Sequence, residues 1–76
     1  MKEMIEHIVK ALVDHPDEAS VTELAGERTL TYEIKVMQGD QGKIIGRQGN
    51  TIDAIRAIVR AAARKLDKHA TVDVID

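Results

Sequence analysis

Apolar positions along the chain follow two periods. Met4, Ile5, Ile8, Val9, Leu12 and Val13 recur three and four residues apart, which predicts an amphipathic helix over residues 2–14. The run Asp14-His15-Pro16-Asp17 ends it, because Pro16 lacks the amide hydrogen and biases His15 away from helical geometry. Over residues 29–37 the period drops to two. Leu30, Tyr32, Ile34 and Val36 alternate with Thr31, Glu33 and Lys35, as in a strand with one buried face. Residues 20–25 supply a second strand, joined to the first through a tight connection at Gly26-Glu27-Arg28. Gln38-Gly39-Asp40 breaks the pattern, with Asp40 placed to cap a short helical turn through Ile45.

A second long helical pattern runs from Thr51 to about Lys68. Ile52, Ile55, Val59, Ala62 and Leu66 form its apolar stripe and Ile58 widens it, while Ala54, Ala57, Ala61 and Ala63 raise helix propensity. Thr71-Val72-Asp73-Val74-Ile75 reads as a short strand. The order helix, strand, strand, short helix, helix, strand predicts a single α+β domain over residues 1–76, a three-stranded sheet with helices on one face.

Composition narrows the function classes. Seventy-six residues leave room for one small domain. The absence of cysteine excludes disulfides, thiolate metal sites and thiol catalysis. With Tyr32 as the sole aromatic residue, modules that stack bases on several rings are disfavoured. The core must be aliphatic, drawn from nine Ile, seven Val and four Leu. At roughly 1.5–3 kcal/mol for each fully buried side chain, that offsets the ordering entropy narrowly, and a partner surface would help. His7, His15 and His69 lack ligand spacing and Ser20 is the only serine, so neither a metal, a cofactor nor an enzymatic activity is expected. Glu3 and Glu6 stand where a targeting peptide would be basic, and His7 and Lys10 interrupt the apolar positions. A cytoplasmic protein without a membrane partner is the expectation.

Charge is unevenly distributed. Residues 1–34 carry three cations against eight acids, a net of −5, whereas residues 35–76 carry eight cations against five acids, a net of +3. A basic half suits a polyanion reached through one face, although an ordinary solvated surface gives the same totals.

The chemistry is concentrated in Gly42-Lys43-Ile44-Ile45-Gly46-Arg47-Gln48-Gly49. Gly46 and Gly49, three apart between a short helix and a long one, allow a sharp turn that exposes backbone amides. The start of the following helix adds orphan N–H groups and partial positive charge, and Arg47 at the tip with Lys43 one turn earlier completes a cradle for backbone phosphates. No Walker A loop or G-x-G-x-x-G fingerprint is present.

The run Ile44-Ile45-Gly46-Arg47-Gln48-Gly49-Asn50-Thr51-Ile52-Asp53-Ala54-Ile55 resembles the signature of KH domains, an I-G-x-x-G core followed by apolar positions at helical spacing. A lone G-x-x-G is weak; the Ile pair before it and the patterned helix after it make it specific. The helix and hairpin before the motif and the single strand after it resemble the bacterial type II KH arrangement, with a core motif region over residues 29–76; the likeness extends over the whole chain, closest to the small stand-alone bacterial KH proteins of the KhpA type. The resemblance implies that Gly46, Arg47, Gln48 and Gly49 clamp the backbone of about four unpaired nucleotides of single-stranded RNA. It further implies that bases lie in an aliphatic groove at Ile45 and Ile52, with inward-edge residues such as Ile34 or Val36; Lys43 and Arg56 join the candidate RNA-binding residues from their own places near the loop. It also implies an RNA chaperone or post-transcriptional regulator that forms a homodimer and a heteromer with a larger KH protein of the Jag/KhpB type, linked to cell elongation and peptidoglycan homeostasis.

Two readings stay open on the residues themselves. Arg56, Arg60 and Arg64, four apart, form either an extension of the RNA track or a solvated helix face partly paired with Asp53 and Asp67. Lys65 and Lys68 suit a helix C-terminus through its dipole. As a whole, the domain reads as an RNA clamp or, alternatively, as a dimerisation and protein-interaction adaptor with the glycine loop beside the interface.

Overall fold

The computed structural model describes residues 1–75. Helix α1 spans Lys2–Leu12, strands β1 and β2 span Ser20–Ala25 and Thr29–Lys35, helices α2 and α3 span Gln41–Ile45 and Asn50–Lys65, and strand β3 spans His69–Ile75. Single 3-10 turns at Pro16–Glu18, Gln38–Asp40 and Arg47–Gly49 join them. The expected α+β order holds.

β1 and β2 pair antiparallel from Ser20↔Lys35 to Ala25↔Leu30. β3 lies on the other side of β2 and runs parallel to it, from Thr29↔His69 to Lys35↔Ile75. A parallel neighbour requires a crossover, and α2, the glycine loop and α3 together make it. β3 begins two residues before the sequence pattern, because the His69 N–H donates to the Arg28 carbonyl at 2.8 Å and Ala70 is buried.

The helices cover one face of the sheet. Leu30, Tyr32, Ile34 and Val36 are all buried, as their period of two requires, together with Val21, Ala70 and Val72 from the flanking strands. Ile5, Val9, Val13, Ile44, Ile52, Ile55, Val59 and Ala63 complete one continuous core. The helical stripes are narrower than the sequence suggests. Met4 and Leu12 flank the Ile5–Val9 line of α1 and stay exposed. On α3, Ile58 is 48% and Leu66 61% exposed, and Ala63 takes the inward place. For Leu66 the reason is the end of the helix at Lys65. Leu66 is the cap and Asp67 takes φ 57°, while the N–H groups of Asp67 and Lys68 donate to Arg64 and Ala63 carbonyls at 3.0 Å, a Schellman reversal that swings Leu66 off the core line.

The register sets Glu23 opposite Tyr32. The Tyr32 hydroxyl donates to Glu23 Oε2 at 2.6 Å. Burial, then that hydrogen bond, then the Glu23 charge push the phenol up to about 12.

Candidate nucleic-acid interface

The loop between α2 and α3 is shaped by backbone conformation. Gly46 ends α2, its N–H donating to the Gly42 carbonyl at 2.8 Å, with φ 75° and ψ 176°. That region is open essentially to glycine alone. A Cβ on Gly46 would also overlap the Thr51 hydroxyl and lie 2.6 Å from Thr51 Cβ and 2.9 Å from its amide nitrogen. Gly49 has φ 77° and ψ 8°, yet a Cβ there meets only a carboxylate oxygen of Asp53 at 3.9 Å. Between them Gln48 is itself left-handed at φ 56°, ψ 27°. The result is a tight bulge in which Arg47 and Gln48 face solvent and the Gly49 N–H closes back on the Gly46 carbonyl at 3.2 Å.

No side chain caps the N-terminus of α3, so its partial positive charge points into this bulge. Arg47 is exposed and makes no ion pair among the described residues. Backbone donors, a helix N-terminus and a free guanidinium therefore converge on one loop, the arrangement that suits a phosphodiester.

The other sequence-predicted residues occupy distinct layers. Lys43 Nζ lies 3.4 Å from Asp14 Oδ2 in a solvent-exposed pair, which holds it only weakly. The Ile pair divides: Ile44 is fully buried, while Ile45, beside Gly46, is 41% exposed. Ile52 is buried, 5% exposed, and supports the loop's helix from the core. Ile34 and Val36 are sealed beneath the helices, so Ile45 is the member of the expected aliphatic set that presents surface. Arg56 turns toward the sheet: its Nε donates to the Val72 carbonyl of β3 at 3.0 Å and its Nη1 lies 3.6 Å from Asp53 Oδ1. Arg60 and Arg64 are exposed and pair with neither Asp53 nor Asp67.

Asp40 corrects one expectation. It does not cap α2 with its side chain. Its carboxylate is buried and accepts the His15 backbone N–H at 3.0 Å, with His15 Nδ1 at 3.2 Å from the same oxygen. Burial alone would raise its pKa, but the hydrogen bonds from His15 and the backbone amides of His15 and Asp14, with the His15 charge, outweigh that and hold it below the ordinary 3.8. Asp40 thus ties the α1–β1 connection to the foot of α2. The partners are 25 residues apart, and the sequence carried no local signal for them. The Thr51 contact that excludes a side chain at Gly46 was equally hidden.

Among the described residues there is no group of three or more His, Cys, Asp or Glu able to hold a metal ion. No helix is long and apolar enough to cross a membrane.

Comparison of the sequence with known proteins finds a family. The family described as KhpA/KhpB, KH domain, matches residues 2–74. A protein named RNA-binding protein KhpA from Clostridium acetobutylicum is 47% identical over 75 residues, covering 99% of this chain and 100% of the relative. Its namesake from Halalkalibacterium halodurans is 46% identical over 76 residues, with both chains fully covered. The one from Chlamydia muridarum is 41% identical, covering all of this chain and 97% of the relative. No solved structure matches the chain.

Proposed function

The chain belongs to the KhpA/KhpB family of KH domains, and on that premise we propose that it binds single-stranded RNA through the loop Gly46-Arg47-Gln48-Gly49. The observation that carries the proposal is the backbone of that loop: three of its four residues hold positive φ, which opens it against an uncapped helix N-terminus. Its donors bind phosphates without reading bases. In this reading Arg47 and Gln48 contact the strand directly, and Lys43 exchanges Asp14 for a phosphate. Ile45 offers an aliphatic surface to a base, Ile52 holds the helix beneath it, and Arg56 borders the groove from the β3 side. The relatives' name, RNA-binding protein KhpA, supports RNA as the ligand. No catalytic step is assigned.

One small clamp gives modest affinity, so avidity through self-association or a second KH protein fits the site. We propose on that ground, and on the family resemblance, a cytoplasmic RNA chaperone or post-transcriptional regulator. It acts as a homodimer and with a larger KhpB-type KH protein, in cell elongation and peptidoglycan homeostasis. The adaptor reading draws on the exposed Met4, Leu12, Ile58 and Leu66, apolar surface suited to a protein contact.

The two readings separate in a titration of short single-stranded RNAs at several salt concentrations, run beside the double variant Arg47→Asp, Gln48→Asp. Each neutralised phosphate contributes about −0.7 to the log–log salt slope. The clamp predicts a negative slope for the parent and loss of binding in the folded variant. Equal binding by both proteins sinks the clamp, and binding by neither supports the adaptor.

A further inference from the structure

We propose that a second phosphate-backbone station lies at the opposite end of α3 from the glycine loop, so that a strand longer than the clamped nucleotides is held at both ends of the helix. The proposal rests on the RNA-binding reading and extends it. Two adjoining open clefts of about 130 and 250 Å3 lie where the β1–β2 hairpin, the exit of α3 and the start of β3 meet. Arg64, Lys68 and His69 line both, Arg28 with Asp67 completes the first, and Arg60 with Ala70 the second. A third, of about 360 Å3, continues past Arg28 and Lys68 toward Glu27 and Leu66.

Four cations therefore face two acids, Asp67 and Glu27, and none of Arg28, Arg60, Arg64 or Lys68 makes an ion pair among the described residues. The frame beneath them is firm. The Schellman reversal orients Lys68, and the hydrogen bond from His69 to Arg28 pins the hairpin to β3. Guanidinium forks match phosphate oxygens. Among the residues lining the clefts the one ring is the His69 imidazole and charge dominates, so the station addresses chiefly the backbone rather than sequence.

A path connects the two ends. Arg56, held against the Val72 carbonyl, Arg60 and Arg64 recur every four residues along α3 and end at the cleft floored by Ala70. The sixteen residues of α3 span about 24 Å, which sets the distance between the two stations.

The test uses oligouridines of two lengths, one of about four nucleotides to match the clamp and one about three times longer. Fluorescence anisotropy is read across a salt series for the parent and for the combined variant Arg28→Gln, Arg64→Gln, Lys68→Gln, with folding verified by circular dichroism and urea denaturation. The parent is expected to bind the longer strand more tightly and with a steeper salt slope. The variant should bind the short strand as the parent does but lose about 2 from the slope on the long one, three contacts at about 0.7 each. If the triple variant does not fold, Arg64→Gln alone, at an exposed helix position, should lose about 0.7. Equal slopes for the parent on both lengths, or an unchanged slope in the folded variant, overturn the station while leaving the clamp intact. A variant that alters only self-association in sedimentation, with RNA slopes unchanged, reassigns the clefts to the acidic half of a second copy. A parent that binds neither strand overturns the clamp and the station together.

Discussion

At the N-terminal end of α3 the chain turns through Gly46, Gln48 and Gly49, all at positive φ, and leaves the helix end uncapped. At the C-terminal end it turns through Asp67, also at positive φ, and the Schellman bonds close the last carbonyls. The same backbone region thus serves opposite purposes. One end offers amide donors whose positions follow from the main chain, so few substitutions are tolerated there. The other has satisfied its main chain and offers only side-chain charge, carried by residues from three separate segments. A site built from backbone is narrow and strict, whereas one built from side chains is broad and tolerant.

Substitutions at the two ends should expose that difference. The largest effect is expected for Gly46→Ala, where a glycine-only conformation coincides with the overlap on Thr51. A loss on the order of 3 kcal/mol in urea denaturation is expected, with RNA binding lost alongside. Gly49→Ala keeps free space around its Cβ and should lose about 1 kcal/mol, with Gly49→Asn losing less because asparagine tolerates the left-handed region. Equal losses at Gly46 and Gly49 would show that Thr51 yields and that φ alone governs the loop.

At the other end, Asp67→Asn keeps a residue suited to φ 57° and should alter stability by less than about 0.5 kcal/mol. It also removes an acid from the clefts, so affinity for the longer RNA should rise while the short strand is unaffected. Weaker binding of the long strand would contradict the side-chain account of that end.

The smallest expected effect concerns pH. The Asp40 carboxyl is held below its unfolded value of 3.8, so its contribution to stability is fully present above that value and is lost as pH falls through the lower folded value. Acid titration of thermal stability should show this limb in the parent and a flatter one in Asp40→Asn. The Tyr32 phenol behaves conversely: raised to about 12, it favours the fold below the ordinary 10.0 and loses that contribution between 10.0 and about 12, a limb absent in Tyr32→Phe.

The two ends of α3 also differ in how far the sequence disclosed them. Gly46 to Gly49 are contiguous, and the sharp turn could be read from the spacing because the conformation needs particular residue types at adjacent positions. The alternation at Leu30, Tyr32, Ile34 and Val36 was legible for the same reason. The cationic clefts were not, since Arg28 reaches Lys68 only through the parallel register of β2 and β3. Arg56 read as part of an RNA track or as a helix-face cation partly paired with Asp53; the Asp53 pair is present, but the hydrogen bond to Val72 depends on where α3 crosses the sheet edge. Asp40 read as a cap because its local sequence suits one, and a partner 25 residues away claimed its carboxylate instead. Leu66 read as core because periodicity does not register where a helix stops.

The parallel pairing of β2 with β3 has a kinetic consequence. Thr29 and His69, forty positions apart, must meet before the first rung of that ladder exists, whereas β1 and β2 zip from an adjacent hairpin. Closing so long a segment is slow relative to hairpin formation. The glycine loop lies inside that segment, ahead of the strand whose docking completes the sheet. During synthesis the hairpin is ready early and the β2–β3 ladder late, and a nascent chain that has not yet released β3 from the ribosome carries the loop's residues beside an unfinished sheet.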